Sequence, residues 1–175
     1  MKPVDNAHPG IYALDLMSGD LVWEKHIQHQ YKGETYNSLF SSALSVTNDV
    51  LLAANLNGVL KAFRTSDGQE LWSFDTAIKV TDANGVVGNG GTVDSVGPVP
   101  AGKDVYLNSG YSTFGGTNPW QAGPGNAFFV FRLPWSGYSH QLRGFTTKNT
   151  GMADAGHIGQ RPQTCRSICW TRTAG

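Results

Sequence analysis

Cys165 and Cys169 are four residues apart, which fits neither a redox pair nor a structural zinc site, because both use Cys-x-x-Cys. His157 is the nearest histidine, and no Cys-x-x-Cys-His run offers covalent haem attachment. The stretch GPVPAGKD, Gly97 to Asp104, has the letters of a phosphate loop as far as its lysine. However, Asp104 stands where a hydroxyl must reach magnesium, and Pro98 and Pro100 interrupt the run. GVVGNGG, ending at Gly91, fails the dinucleotide fingerprint because Val93 takes its last glycine position. His26 and His29 have no third ligand in view, and no nucleophile elbow occurs. Chemistry carried by a short motif is therefore excluded. What remains is a set of single polar residues whose meaning depends on the elements that position them.

Those elements repeat. Setting Ala13 over Ala62 also sets Gly19 over Gly68 and Trp23 over Trp72, all at a spacing of 49 residues. Leu14 meets Phe63 and Val22 meets Leu71 at the same offset. In each copy an apolar run (Ile11 to Leu16; Val59 to Phe63) enters a polar turn closed by glycine, and a second short strand ends on tryptophan. Ser and Asp side chains bond the turn backbone, and glycine takes positive φ at no steric cost, so each copy is a hairpin. Upstream of the second copy, Ser42 to Thr47 and Val50 to Asn55 read as two more strands split by Asn48-Asp49. A third unit runs Val96 to Pro100, Val105 to Ser109 and Ala127 to Leu133, with an insertion at Tyr111 to Gly125. Repeated four-stranded antiparallel units of this size predict an all-β chain forming part of a β-propeller.

Composition agrees: glycine is 22 of 175 residues, charged residues are 15%, and no stretch has a 3.6-residue apolar period. A closed ring needs about four to eight blades, and the chain supplies two to three of them. The expectation is a partial arc whose open edges meet the remaining blades or a second copy. Domain division is expected at Pro134: residues 1–134 hold 8 Lys/Arg and 12 Asp/Glu, whereas 135–175 hold 5 and 1. The polar tail shows no strand alternation and is read as irregular or disordered, or as a non-native ending, so the third unit is expected to have three strands. Its few dispersed basic residues argue against a nucleic-acid arm. No apolar stretch is long enough to span a membrane, and MKPVDNAHPG lacks the character of a signal peptide.

ALDLMSGDLVW, Ala13 to Trp23, resembles the A-x-D-x-x-[ST]-G-x-x-x-W tryptophan-docking motif of pyrroloquinoline-quinone (PQQ) dehydrogenases and related propellers. The second copy keeps Ala62, Gly68 and Trp72 but has Arg64 and Asp67 at the motif's Asp and Ser/Thr positions. The segment from Phe74 to Gly116, with GGTVD and NSGY, followed by GNAFFVF, is similar to the C-terminal part of polyvinyl-alcohol-dehydrogenase-like quinoproteins. The resemblance covers residues 8–134. It implies that Ala13, Gly19, Trp23, Ala62, Gly68 and Trp72 are interblade packing residues of a larger, eight-bladed ring. It also implies that the last blade takes its final strand from elsewhere.

The same resemblance implies an alcohol dehydrogenase located in the periplasm or outside the cell, with PQQ and calcium at the ring's centre. Calcium takes six to eight oxygens. On that basis Asp94 is the candidate catalytic carboxylate and, with Asn108, a metal ligand. Lys61, Arg64, Asn108 and Tyr111 become candidates for the cofactor, since cations pair with its carboxylates. Ser109 lies between Asn108 and Tyr111, and Trp120, in the insertion, is read either as the floor or lid of a pocket or as the cover of an edge. The plain alternative has Asp94 capping a turn, Asn108 at a strand end and the two cations on exposed strand positions. At the level of the chain, the alternative is a noncatalytic propeller that binds other proteins. The expectation for this chain by itself is catalytic silence.

Overall fold

The computed structural model describes residues 9–82, 84–94, 96–112 and 122–132, together with the backbone of one strand at Cys165–Cys169. In chain order, β1 (Ile11–Leu14) and β2 (Leu21–Lys25) form a hairpin, as do β3 (Gln28–Tyr31) and β4 (Glu34–Asn37). An antiparallel meander follows, of β5 (Ser45–Thr47), β6 (Val50–Ala54), β7 (Val59–Arg64) and β8 (Glu70–Asp75). A short hairpin of β9 (Lys79–Thr81) and β10 (Val87–Asn89) leads into a second four-stranded sheet. That sheet comprises β11 (Val99–Ala101), β12 (Asp104–Ser109), β13 (Ala127–Arg132) and β14 (Cys165–Cys169). Among the described residues every element is a strand, as the repeat predicts for part of a propeller. No helix there is long and apolar enough to cross a membrane.

The repeat is visible at the level of single hydrogen bonds. In the first copy Asp15 N–H donates to Asp20 O and Gly19 N–H to Asp15 O, both at 2.8 Å. In the second, Arg64 N–H donates to Gln69 O at 2.8 Å and Gly68 N–H to Arg64 O at 2.9 Å. Both ladders slip register just after the alanine, between Ala13 and Leu14 and between Ala62 and Phe63. Ala13 then faces Trp23, and Ala62 faces Trp72. The acidic residue that braces the turn moves between copies. Asp15 Oδ1 accepts from Met17 N–H and Ser18 N–H, whereas Asp67 accepts from Gln69 N–H and from Arg64. Both carboxyls are held below the usual carboxylate range, chiefly by these backbone donors.

The meander lies between two apolar layers. Side chains alternate across a strand, so Leu52, Ala54, Leu60, Ala62 and Trp72 face Val105, Leu107, Phe129 and Phe131 of the second sheet. Leu51, Ala53 and Phe63 face Ile11, Trp23, Ile27 and Phe40. With both faces covered, β6 is buried at every residue. Each large side chain so enclosed contributes about 1.5–3 kcal/mol.

Trp23 joins one repeat to the next. Its Nε1–H donates to Thr65 O at 2.7 Å, and its ring lies over Gly68, where an added Cβ would sit 2.8 Å from Trp23 Cε3. Gly68 also has φ +66, so its lack of a side chain serves both the turn and the ring. Replacing Trp23 with Phe keeps most of the packing and removes the donor. The expected cost is about 1 kcal/mol in urea unfolding, the size of one net hydrogen bond.

The observed elements differ from the sequence expectations in three ways. Strand limits are tighter: β5 starts at Ser45 rather than Ser42, β6 ends at Ala54, and β11 begins at Val99 rather than Val96. The reason is that residues at these strand ends bond outside the ladder: Ser42 Oγ–H donates to Ala54 O, Leu39 O accepts from Leu56 N–H, and Pro98 O accepts from Ser45 Oγ–H. Hairpins β3–β4 and β9–β10 carry no repeat signal. Lys32 and Gly33 both take positive φ in the first of them, and lysine at that place is a weak hairpin cue beside Asn-Gly. Finally, the third unit does not stop at three strands, because β14 pairs antiparallel with β13, Ala127 opposite Cys169 and Phe131 opposite Cys165. An edge strand is recruited by backbone groups, so CRSIC needs no hydrophobic alternation to be added. The remainder of the tail read as irregular lies outside the described residues.

Candidate functional site

Consecutive antiparallel strands place the β5–β6 and β7–β8 turns at one end of the meander. The β6–β7 loop lies at the other end, with the entry to β5 and the exit from β8. The second sheet repeats this, so its β12–β13 connection and the glycine-rich entry to β11 share one end. Backbone bonds tie these loops together: Leu56 N–H to Leu39 O, Ala122 N–H to Leu56 O, Thr92 N–H to Gly123 O, and Gly110 N–H to Thr92 O. This loop end gathers the buried polar side chains Ser38, Ser42, Asn55, Thr76, Thr92, Asp94 and Ser109.

Asp94 is the charged residue at the centre of this cluster, with 1% of its surface exposed. Ser41 Oγ–H donates to its Oδ1 at 2.6 Å, and the carbonyl of Asp94 accepts from Val96 N–H at 3.0 Å. The preceding residue, Val93, is buried in the core and bridges to Tyr111. A carboxylate is costly to bury and needs donors; Ser41 supplies one. The hydroxyls behind it hold loops together. Thr76 Oγ1–H donates to Gly58 O at 2.6 Å. With that proton committed, the 2.7 Å contact between Thr76 Oγ1 and Ser109 Oγ takes its proton from Ser109. Gly91 N–H donates to Ser109 Oγ at 2.9 Å, and Gly123 N–H to Thr92 Oγ1 at 3.0 Å.

The glycines of the segment are explained by close approach. A Cβ on Gly90 would lie 1.6 Å from Thr76 O, one on Gly91 2.3 Å from Gly123 O, and one on Gly97 1.8 Å from Ala43 O. The run that resembles a nucleotide loop is thus a place where backbones pass at contact distance, and Ser45 Oγ–H donates to Pro98 O beside it.

Of the other candidates, Tyr111 bridges to Val93 beside Asp94, whereas Lys61, Arg64 and Asn108 sit elsewhere. Lys61, in the middle of β7, is 2.9 Å from Glu70 Oε2. Arg64 lies at the turn end, with Nη1 2.8 Å from Asp67 Oδ2. Asn108 is exposed on β12, on the face opposite buried Leu107 and Ser109. Tyr111 is 43% exposed at the loop end. Trp120, and likewise His157, lie outside the described residues. The residues that actually surround Asp94, Ser41 first among them, carry no sequence motif; the spacing of the glycines was the available signal.

Among the described residues no group of three or more His, Cys, Asp or Glu side chains converges. Nor is a free basic pair presented to a cofactor carboxylate, since Lys61 and Arg64 both face acids.

His29, on β3, is bonded through Nδ1 to Ser38 Oγ at 3.2 Å. Burial holds its pKa below the ordinary 6.5. In the unfolded chain the imidazole takes its proton more readily, so its contribution to stability is present above about pH 6.5 and is lost as pH falls below it. Chemical denaturation across pH 5–8 is expected to show this slope, reduced in His29→Gln.

No family model matches the chain. Among curated proteins it is 32% identical over 137 residues to polyvinylalcohol dehydrogenase of Sphingopyxis sp. (strain 113P3), covering 74% of this chain and 21% of that protein. To polyvinylalcohol dehydrogenase of Pseudomonas sp it is 36% identical over 110 residues, 59% of this chain and 17% of that protein. To quinoprotein ethanol dehydrogenase of Pseudomonas aeruginosa it is 29% identical over 140 residues, 77% of this chain and 20% of that protein. The chain spans about a fifth of the length of the curated relatives it matches.

Proposed function

The chain belongs to the quinoprotein alcohol dehydrogenase superfamily of β-propellers, and on that premise we propose that it forms two to three blades of an enzyme oxidising alcohols. The match to polyvinylalcohol dehydrogenase over 74% of the chain carries this proposal. In the whole enzyme PQQ, when bound, supplies the electron sink for the hydride of the alcohol. This chain's contribution is the loop end with its buried carboxylate. Asp94, oriented by Ser41, accepts the proton of a substrate hydroxyl brought within hydrogen-bond reach. The glycine contacts and the Thr76–Ser109 pair hold that loop rigid. The remaining blades supply the metal ligands and the cations, and the parent enzyme works outside the cytoplasm.

The chain alone is expected to show no PQQ-dependent dye reduction with ethanol or polyvinyl alcohol. The positive test is a chimera in which this chain replaces the matching fifth of a polyvinylalcohol dehydrogenase. Active chimera is expected, with Asp94→Asn lowering kcat by about 10²–10⁴-fold, the range of general acid–base catalysis, and changing KM little. An active chimera insensitive to Asp94→Asn removes Asp94 from the chemistry. An inactive but folded chimera favours the noncatalytic propeller, in keeping with the paired state of Lys61 and Arg64.

A further inference from the structure

Three Asn-Gly pairs occur in the chain: Asn57-Gly58, Asn84-Gly85 and Asn89-Gly90. Such a pair carries its own reaction. The deprotonated backbone nitrogen of the glycine attacks the asparagine Cγ, an N–Cγ bond forms, and the Cγ–Nδ2 bond breaks with release of ammonia. Water then opens the cyclic imide at either carbonyl, leaving aspartate or isoaspartate in place of asparagine. Glycine is the favourable second residue because no Cβ obstructs the ring and its backbone turns freely. The ring closes only where the backbone can bring nitrogen onto Cγ, so the fold decides which pair reacts.

Two of the pairs are clamped. A Cβ on Gly58 would lie 2.7 Å from Gly91 O and 2.8 Å from Ala77 Cβ, and Gly58 O accepts from both Thr76 N–H and Thr76 Oγ1–H. Asn89 is exposed, but its backbone is held on two sides. It pairs with Lys79 in the β9–β10 ladder, its N–H donates to Asn126 Oδ1 at 2.9 Å, and its carbonyl accepts from Asn126 N–H at 2.8 Å. Gly90 beside it donates to Ile78 O at 2.8 Å and passes Thr76 O at contact distance.

Asn84-Gly85 has neither clamp. It forms the tip of the β9–β10 hairpin, and both residues are exposed. Among the described residues no atom lies within 4 Å of a Cβ built on Gly85. Gly85 N–H donates to Asp82 O at 3.1 Å, against 3.0 Å for Gly58 and 2.8 Å for Gly90. Closing the ring there breaks one long turn bond and disturbs no packing.

We infer that Asn84 is the site at which this fold directs spontaneous deamidation, a covalent modification whose co-reactant is water. The product places a carboxylate two residues from Asp82, whose Oδ1 accepts from the N–H groups of Asn84 and Val86. As isoaspartate it also lengthens the backbone between Thr81 and Val87, which face each other across the hairpin.

The test is incubation of the whole chain at mildly alkaline pH, followed by tryptic digestion and mass spectrometry that assigns each Asn-to-Asp mass increment by fragmentation. Chain held in urea is the reference, and there all three pairs are expected to react at comparable rates. In the folded chain, with its circular dichroism intact, Asn84 is expected to react close to its urea rate. Asn57 and Asn89 are expected to slow by about tenfold or more, because ring closure at a clamped pair needs local opening. Asn84→Gln is expected to leave the peptide of residues 80–103 essentially unmodified in the folded chain. A folded chain in which Asn57 or Asn89 reacts as fast as Asn84 overturns the assignment. So does one in which Asn84 is protected as strongly as the other two.

Discussion

Gly90→Ala is expected to cost at least about 3 kcal/mol, the upper end of what overpacking usually costs, and to loosen the loop end from the meander. The new Cβ would stand 1.6 Å from Thr76 O and 3.0 Å from Ser109 Oγ. The first neighbour is backbone, and its residue is committed on other sides: Thr76 N–H and Oγ1–H both donate to Gly58 O. Relief therefore requires the β8–β9 connection to move as a unit, carrying the β6–β7 loop with it. Gly102→Ala is the control, with φ +60 but nothing within 4 Å. There the cost is only that of a left-handed alanine, about 1–2 kcal/mol. Urea unfolding of both variants separates space from conformation. A Gly90→Ala variant as stable as Gly102→Ala would mean that the loops around Thr76 yield freely, and the rigidity assigned to the Asp94 site would be lost with them.

Phe131→Ala is expected to destabilise by about 3–5 kcal/mol, as buried aromatic truncations do. A domain of ordinary stability has only about 5–15 kcal/mol in total, so much of the chain would unfold at 37 °C. Phe131 is fully buried and is the hub of the ring cluster. It meets Trp72 edge-on at 5.5 Å and Phe74 at 5.3 Å, and stacks on Phe129 at 5.8 Å. These contacts join β8 of the meander to β13 of the second sheet. A double-mutant cycle with Trp72→Phe is expected to yield a coupling of about 0.5–1.5 kcal/mol. Additive losses would show that the two sheets do not rely on this pair.

Much of the architecture follows from the sequence because repeats expose it. Two hairpins 49 residues apart with matched alanine, glycine and tryptophan are enough to name strands, turns and a propeller-like plan. Hairpin β3–β4 was not legible because its turn uses Lys32 where Asn is the usual signal. Strand β14 was not legible because pairing on an edge is written in backbone groups, which every residue has.

The candidate site divides along the same line. That Asp94 is the carboxylate of the glycine-rich segment can be read from the chain. That it is buried against Ser41, 53 residues away, is decided by the stacking of two units. The pairing of Lys61 with Glu70 and of Arg64 with Asp67 is likewise set by strand register and turn shape. The sequence by itself determined the repeat and the strands that carry it, because those follow from local periodicity and turn chemistry, and its motifs carried the resemblance to the family. Only the tertiary structure decided which polar atoms meet, because that depends on how units from distant parts of the chain exclude water together.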